Sequence, residues 1–205
     1  MKVLMINGSP HEHGCTNAAL EEIAKTLRTD GADTELIWLG KGPVQDCVAC
    51  GGCRKTGRCV FDDIANEIIE RAASADGFVF GTPVYYAHPS GRVLSVLDRA
   101  FYAGGAAFAG KPGAAIASAR RAGTTASFDA MNKYFTIASM PIASSTYWNM
   151  VHGSRPEDVA QDAEGLQTMR NIAHSLTWLM KCIALGREAG IELKTERGEH
   201  TNFIR

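Results

Sequence analysis

The chain has 205 residues, of which 45% are hydrophobic and 21% charged, with a formal net charge of -1. That balance is the composition of a globular domain, and it excludes disordered chains and strongly basic nucleic-acid binders. No stretch reaches the roughly 18 consecutive apolar residues of a membrane span, and the apolar start at Met1 to Ile6 is too short for the core of a secretory leader. The expectation is a single cytoplasmic domain over 1–205, with neither membrane nor nucleic acid as partner.

Lys2 to Ile6 reads as a buried parallel strand that empties into Asn7-Gly8-Ser9-Pro10. From Asn17 to Leu27 the residues Ala18, Leu20, Ile23, Ala24 and Leu27 recur at three and four, with Glu21, Glu22 and Lys25 opposite. This is the pattern of an amphipathic crossover helix. Thr34 to Leu39 reads as a second strand, and after a cysteine-rich segment Ile64 to Ala73 carries a helical period. Gly77 to Phe80 is a third strand, and Val93, Leu94, Val96, Leu97 and Ala100 mark the helix that follows it. Gly113 to Ser118 is a small-residue strand, followed by a helix over Phe128 to Ile137 and a weaker fifth strand near Pro141 to Ser144. Glu157 to Arg187 predicts one long closing helix, and 189–205 is a polar tail, solvated or in contact with a partner. Strands alternating with helices through five units imply an α/β fold: a doubly wound five-stranded parallel sheet with helices on both faces.

In such sheets ligands sit beyond the carboxyl ends of the strands, so the informative loops are 7–17, 82–91 and 118–126. The first offers hydroxyls at Ser9 and Thr16 and backbone N–H groups at the start of a helix, which favours an anion such as a phosphate. The competing reading is a plain strand-to-helix turn with Thr16 or Asn17 as N-cap. The segment has neither the P-loop lysine nor the dinucleotide glycines. A phosphate held only by amides and hydroxyls suits flavin mononucleotide.

At these residues the chain resembles the flavodoxin-like NADPH-dependent FMN reductase family, which includes the iron-sulfur flavoproteins, and the resemblance spans nearly the whole chain. Gly8-Ser9-Pro10, Gly14 and Thr16 match the family's first loop, with His11 where it has arginine and Cys15 where it has asparagine. The resemblance implies an FMN phosphate site made by Ser9, His11, Gly14, Cys15, Thr16 and Asn17, with Cys15 contributing mainly its N–H. It implies that Pro83, Val84, Tyr85 and Tyr86, in a loop stiffened by Pro83 and Pro89, wrap the flavin ring. It further implies that Ser118, Ala119, Arg120, Arg121 and Thr124 serve the pyrimidine edge, where negative charge collects on reduction. Read without the resemblance, the second loop is equally a rigid turn with core-packed aromatics and the third a solvated basic turn.

No catalytic residue is expected, because the flavin carries the chemistry. The implied activity passes electrons from NAD(P)H through FMN to a small-molecule or protein acceptor. A homodimer or tetramer is implied too, with the region around Asp98, Arg99, Phe101, Tyr102 and Phe108 against the second subunit. The alternatives are a non-enzymatic flavodoxin-type or iron-sulfur electron carrier, which the near-neutral charge disfavours, and a cysteine-based redox sensor.

Cys47, Cys50, Cys53 and Cys59 form a compact C-x2-C-x2-C-x5-C run, whereas Cys15 and Cys182 stand alone. Three readings of the run stay open: a four-iron four-sulfur cluster, free or redox-active thiols, and zinc. Gly51, Gly52 and Gly57 would let the backbone turn tightly around a cluster. Cys182, beside Met180 and Ile183, reads as a core residue.

Overall fold

The computed structural model describes residues 1–201 and 203. In chain order the first half holds β1 (Lys2–Asn7), α1 (Cys15–Thr29), β2 (Asp33–Trp38), α2 (Cys53–Thr56), α3 (Ile64–Ser74), β3 (Gly77–Tyr85) and β4 (His88–Pro89). The second holds α4 (Gly91–Gly104), β5 (Gly113–Ala119), α5 (Thr124–Ile137), β6 (Met150–His152), α6 (Pro156–Val159) and α7 (Ala163–Glu188).

The period of two in β1 divides the interior into two layers. Val3 and Met5 pack into the core with α1 and α7, whereas Leu4 and Ile6 enter the opposite core with α3, α4 and α5. Within α1, Leu20, Ile23 and Leu27 are fully buried, each contributing about 1.5–3 kcal/mol of apolar burial.

The parallel strands lie in the order β2-β1-β3-β5-β6 with helices on both faces, a flavodoxin-like doubly wound sheet. The chain leaves β1 for β2 on one side and then crosses to β3 on the other. This reversal opens a crevice between the carboxyl ends of β1 and β3. There the two strand ends touch: Gly8 N–H donates to the Gly81 carbonyl at 2.9 Å, and a Cβ on Gly81 would lie 2.9 Å from Thr16 Cγ2.

Four expectations are corrected. β3 runs five residues beyond Phe80 and folds back antiparallel as β4, through a turn with Tyr86 at φ 50° and Ala87 at φ 61°. Two left-handed residues make this a twist-compatible hairpin, although side chains there cost about 1–2 kcal/mol apiece. The fifth parallel strand is Met150–His152, not Pro141 to Ser144, where only Ile142 bridges to Gly113. Gly113 faces Ile142 and Ala117 faces Met150, so the incoming chain spends eight residues where β5 spends four. The surplus loops out over 144–149, and buried Asn149 closes it by donating to the Ala115 carbonyl at 3.1 Å.

The closing helix is broken into α6 and α7 because Asp162 intervenes. Its Oδ1 accepts the Gly165 N–H at 2.9 Å as an N-cap, and its Oδ2 accepts the His152 N–H at 2.7 Å. Cys182 is exposed, since it follows Met180 by two positions and so leaves the face on which Ile172, Leu176 and Met180 are buried. No helix among the described residues is long and apolar enough to cross a membrane.

Candidate functional site

The first loop is shaped by its own polar side chains. Asn7 Oδ1 accepts the Ser9 N–H, Ser9 Oγ accepts the His11 N–H, and Trp38 Nε1 donates to the Ser9 carbonyl at 2.8 Å. These bonds leave His11, Glu12 and His13 outside and bring the chain to α1 through Gly14. Gly14, not Thr16 or Asn17, is the N-cap, and no side chain caps the helix. The first hydrogen bond into the helix is made by Ala18 N–H, and among the described residues the N–H groups of Cys15, Thr16 and Asn17 have no acceptor. A helix start with uncapped donors and no acidic residue in its first turn is a site for an anion. Burial, and then the charge of Asp158, push the Cys15 thiol above its ordinary value, so it adds no negative charge here.

Thr16 is buried, and its hydroxyl shares a 2.8 Å hydrogen bond with Ser118 Oγ. This bond ties the first loop to the third. Ser90 ties the first to the second, because its hydroxyl donates to the Gly8 carbonyl at 2.8 Å and caps α4 by accepting the Val93 N–H. The second and third loops meet at Gly123. Its φ of 90° favours glycine, and a Cβ there would lie 2.7 Å from Ala87 Cα and 2.8 Å from Val84 Cγ1.

Pro83 and Val84 are half-buried at the root of the hairpin, whereas Tyr86 at its tip is fully exposed and Tyr85 46% exposed. Ser118 is buried and Ala119 half-buried at the end of β5, while Arg120 and Arg121 face solvent. Thr124 turns inward, its hydroxyl donating to Met150 Sδ at 3.1 Å. The three expected loops therefore converge on one end of the sheet. The sequence reading overlooked Asn7, Trp38 and Ser90 as the groups that bind the loops together. Ser90 was legible as an N-cap followed by a helical period; the reach of Trp38 from β2 had no local signal.

The cysteine segment lies between β2 and α3, at the same end of the sheet. Cys47 and Cys50 are exposed, and Cys53 and Cys59 half-buried. Ala49, Gly51 and Gly57 take positive φ, and a Cβ on Gly52 would lie 2.8 Å from Val60 Cγ1 and 3.7 Å from Cys50 Sγ. The stretch is thus curled, with its middle against the residue after Cys59. Among the described residues no three cysteine, histidine or acidic side chains are gathered as a metal site. The donor set fits a thiolate-ligated cluster in type, number and tight glycine turns.

At its far end the segment is held by Arg99 of α4. Burial pushes the Asp63 carboxyl up, but bonds from the Arg99 guanidinium and the Ala65 N–H outweigh it and hold the group below its ordinary value. Beside this anchor a groove of about 800 Å³ runs between Cys53, α4 and α5, lined by Leu94, Phe101, Tyr102, Tyr134 and Ile137.

The family model described as NADPH-dependent FMN reductase matches residues 1–155. The chain belongs to the NADPH-dependent FMN reductase family. An iron-sulfur flavoprotein of Methanocaldococcus jannaschii is 29% identical over 191 residues, covering 89% of this chain and 99% of that protein. An iron-sulfur flavoprotein of Methanosarcina thermophila is 26% identical over 192 residues, covering 92% and 100%. The structure of an archaeal flavodoxin has a TM-score of 0.61 at 14% identity, covering 88% of this chain and 99% of its own, a likeness of fold alone. This FMN reductase family member is an FMN-binding oxidoreductase. The unaccepted amides of α1 fit the cofactor's phosphate.

Proposed function

We propose that the protein takes electrons from NADPH or NADH onto FMN and passes them to a small-molecule or protein acceptor. The observation that carries this reading is the uncapped start of α1, whose three free N–H groups open at the crevice between β1 and β3. When bound, FMN supplies the hydride-accepting ring and the capacity to release electrons singly. The amides of Cys15, Thr16 and Asn17, with Ser9, His11 and Gly14 around them, hold the phosphate. Pro83, Val84, Tyr85 and Tyr86 bound the ring on one side, and Ser118, Ala119, Arg120, Arg121 and Thr124 bound its pyrimidine edge. Arg120 and Arg121 put positive charge where the reduced ring gathers negative charge. A net charge of -1 is too small for a carrier steered by its field, which favours the enzyme.

Cys47, Cys50, Cys53 and Cys59 are proposed as ligands of a four-iron four-sulfur cluster. Their spacing and the iron-sulfur flavoproteins among the relatives support this. Cys47 and Cys50 lie in exposed backbone without regular structure. We further propose that 1–205 acts as one domain and assembles as a homodimer or tetramer through the groove face, where Tyr102 and Ile137 are 75% and 85% exposed. Sedimentation as a monomer at micromolar concentration would exclude the assembly.

The deciding experiment is anaerobic purification followed by FMN titration, NAD(P)H oxidation and iron assay. Quenching of FMN fluorescence and pyridine nucleotide oxidation are expected, and a protein that does neither refutes the flavin reading. Cys50→Ser is expected to abolish iron binding while FMN stays bound. Fewer than about one iron per wild-type chain after reconstitution refutes the cluster, which needs several.

A further inference from the structure

Arg99 is the largest fully buried side chain of the protein, 1% exposed, and no step of flavin binding uses it. Each of its five N–H groups has an acceptor. Nε donates to Cys59 Sγ at 3.2 Å, Nη1 to the Gln45 carbonyl at 3.0 Å and Asp63 Oδ2 at 2.9 Å, and Nη2 to the Phe61 carbonyl at 3.2 Å and Asp63 Oδ1 at 2.6 Å. The Phe61 ring lies 5.2 Å from the guanidinium carbon. Gln45 precedes the first cysteine of the run, and Phe61 and Asp63 follow the last, so one side chain grips both ends of the segment.

Cys59 is anchored from a second direction as well. Its N–H donates to Asn66 Oδ1 at 2.8 Å, and Asn66 Nδ2 donates back to its carbonyl at 3.0 Å. Cys47 and Cys50, by contrast, are exposed. The four thiols are therefore unequal: Cys59 is held by Arg99 and Asn66, half-buried Cys53 opens the short helix α2, and Cys47 and Cys50 lie exposed in irregular backbone.

We propose that Arg99 is the positioning residue of the cysteine segment, fixing Cys59 as the preset ligand and raising the cluster's reduction potential through its N–H···S bond. The proposal rests on the cluster reading of the preceding subsection. An N–H donor to a ligating sulfur takes up part of the negative charge that reduction adds, which favours the reduced state. Lysine keeps the charge but loses the planar fork that serves two carbonyls, a carboxylate and a sulfur at once. The same helix begins at the Ser90 cap on the first flavin loop, so α4 joins both sites across nine residues, about 13–14 Å of helix rise.

The test compares wild type, Arg99→Lys and Arg99→Gln after anaerobic reconstitution, reading iron per chain, FMN per chain and the cluster's midpoint potential. Arg99→Lys is expected to keep FMN and iron with a lower potential, and Arg99→Gln to keep FMN and lose at least half the iron. Wild-type iron content and potential in both variants would overturn the proposal.

A second readout is iodoacetamide labelling of metal-free protein followed by peptide mass spectrometry. Labelled above the ordinary thiol range, where every thiol is ionised and access sets the rate, half-buried Cys59 should react more slowly than exposed Cys47 in wild type, and Arg99→Lys should narrow that gap. Equal rates in wild type overturn the clasp even if neither variant can be isolated. Wild type that binds no iron overturns the cluster reading and the effect on potential, and labelling then decides the clasp by itself.

Discussion

Gly123→Ala probes whether the second and third loops form one unit. The substitution places a Cβ 2.7 Å from Ala87 Cα, 2.8 Å from Val84 Cγ1 and 3.0 Å from Ala87 Cβ. Ala87 Cα belongs to the backbone of a two-residue turn and has no rotamer by which to step aside. Left-handed backbone with a side chain costs about 1–2 kcal/mol, and overpacking of a fixed contact adds about 1–3 kcal/mol. A combined loss near 3 kcal/mol would lower the melting temperature of a chain this long by about 6–12 °C. Because the hairpin must move away, FMN affinity should fall by about tenfold or more, equivalent to about 1.4 kcal/mol. Melting of the flavin-free protein and fluorescence-quenching titration read the two effects separately. Gly91→Ala is the control: it lies in the first turn of α4 with no atom within 4 Å of an added Cβ, and should change stability by no more than about 1 kcal/mol. Gly123→Ala that melts within about 1 °C of the parent and binds FMN equally well would refute the reasoning.

Thr16→Val keeps the shape but strands Ser118 Oγ, which is buried, at a cost of about 1–3 kcal/mol in urea unfolding. Adding Ser118→Ala should recover much of that loss, and a double variant no better than the single would count against the shared bond. Tyr86→Ala, at a fully exposed tip, should leave stability within about 0.5 kcal/mol while weakening FMN severalfold; unchanged affinity removes Tyr86 from the site. The hydrogen bond from Lys2, with help from Arg71, holds the Glu35 carboxyl below its ordinary value despite partial burial. A carboxylate depressed in the folded state contributes stability above its unfolded value near 4.3, and that contribution is lost as pH falls through the folded value. Glu35→Gln should therefore flatten the acid side of the stability profile by at most about 1 kcal/mol, since Lys2 is partly solvent-screened. An identical acid slope in the variant would show that the pair contributes nothing.

The sequence was legible wherever periodicity and burial coincide. β1, α1, α3 and β5 lie within a few residues of their expected bounds, because each has a single apolar face or an unbroken apolar run to bury. It misled where a single polar residue redirected the chain. Asp162 stops an otherwise continuous helical pattern by capping a new helix, and Asn149 closes a loop that separates the expected strand at 141–144 from the real one. The hairpin at Tyr86 and Ala87 was illegible because neither residue prefers positive φ, so the turn is imposed by contacts with Gly123 rather than by local preference. At the site, the loops were readable from composition and position, but the bonds that lock them connect residues 82 and 102 positions apart. The burial of Arg99 within its own chain was equally hidden, since the sequence places it near a second subunit and its acceptors lie 36 to 54 positions away.

The excursion at 144–149 also bears on how the molecule behaves among copies of itself. A parallel sheet ends in two rows of unpaired amides and carbonyls that invite a foreign strand. On the β6 side that row is cut to three residues, and the segment leading into it loops out with Tyr147 and Trp148 exposed. On the β2 side the outermost strand carries Asp33 and Glu35, the latter engaged with Lys2 and Arg71. One edge is shortened, the other charged. Removing four residues from 144–149 would match the spacing of β5 and is expected to lengthen that edge and raise the tendency to aggregate.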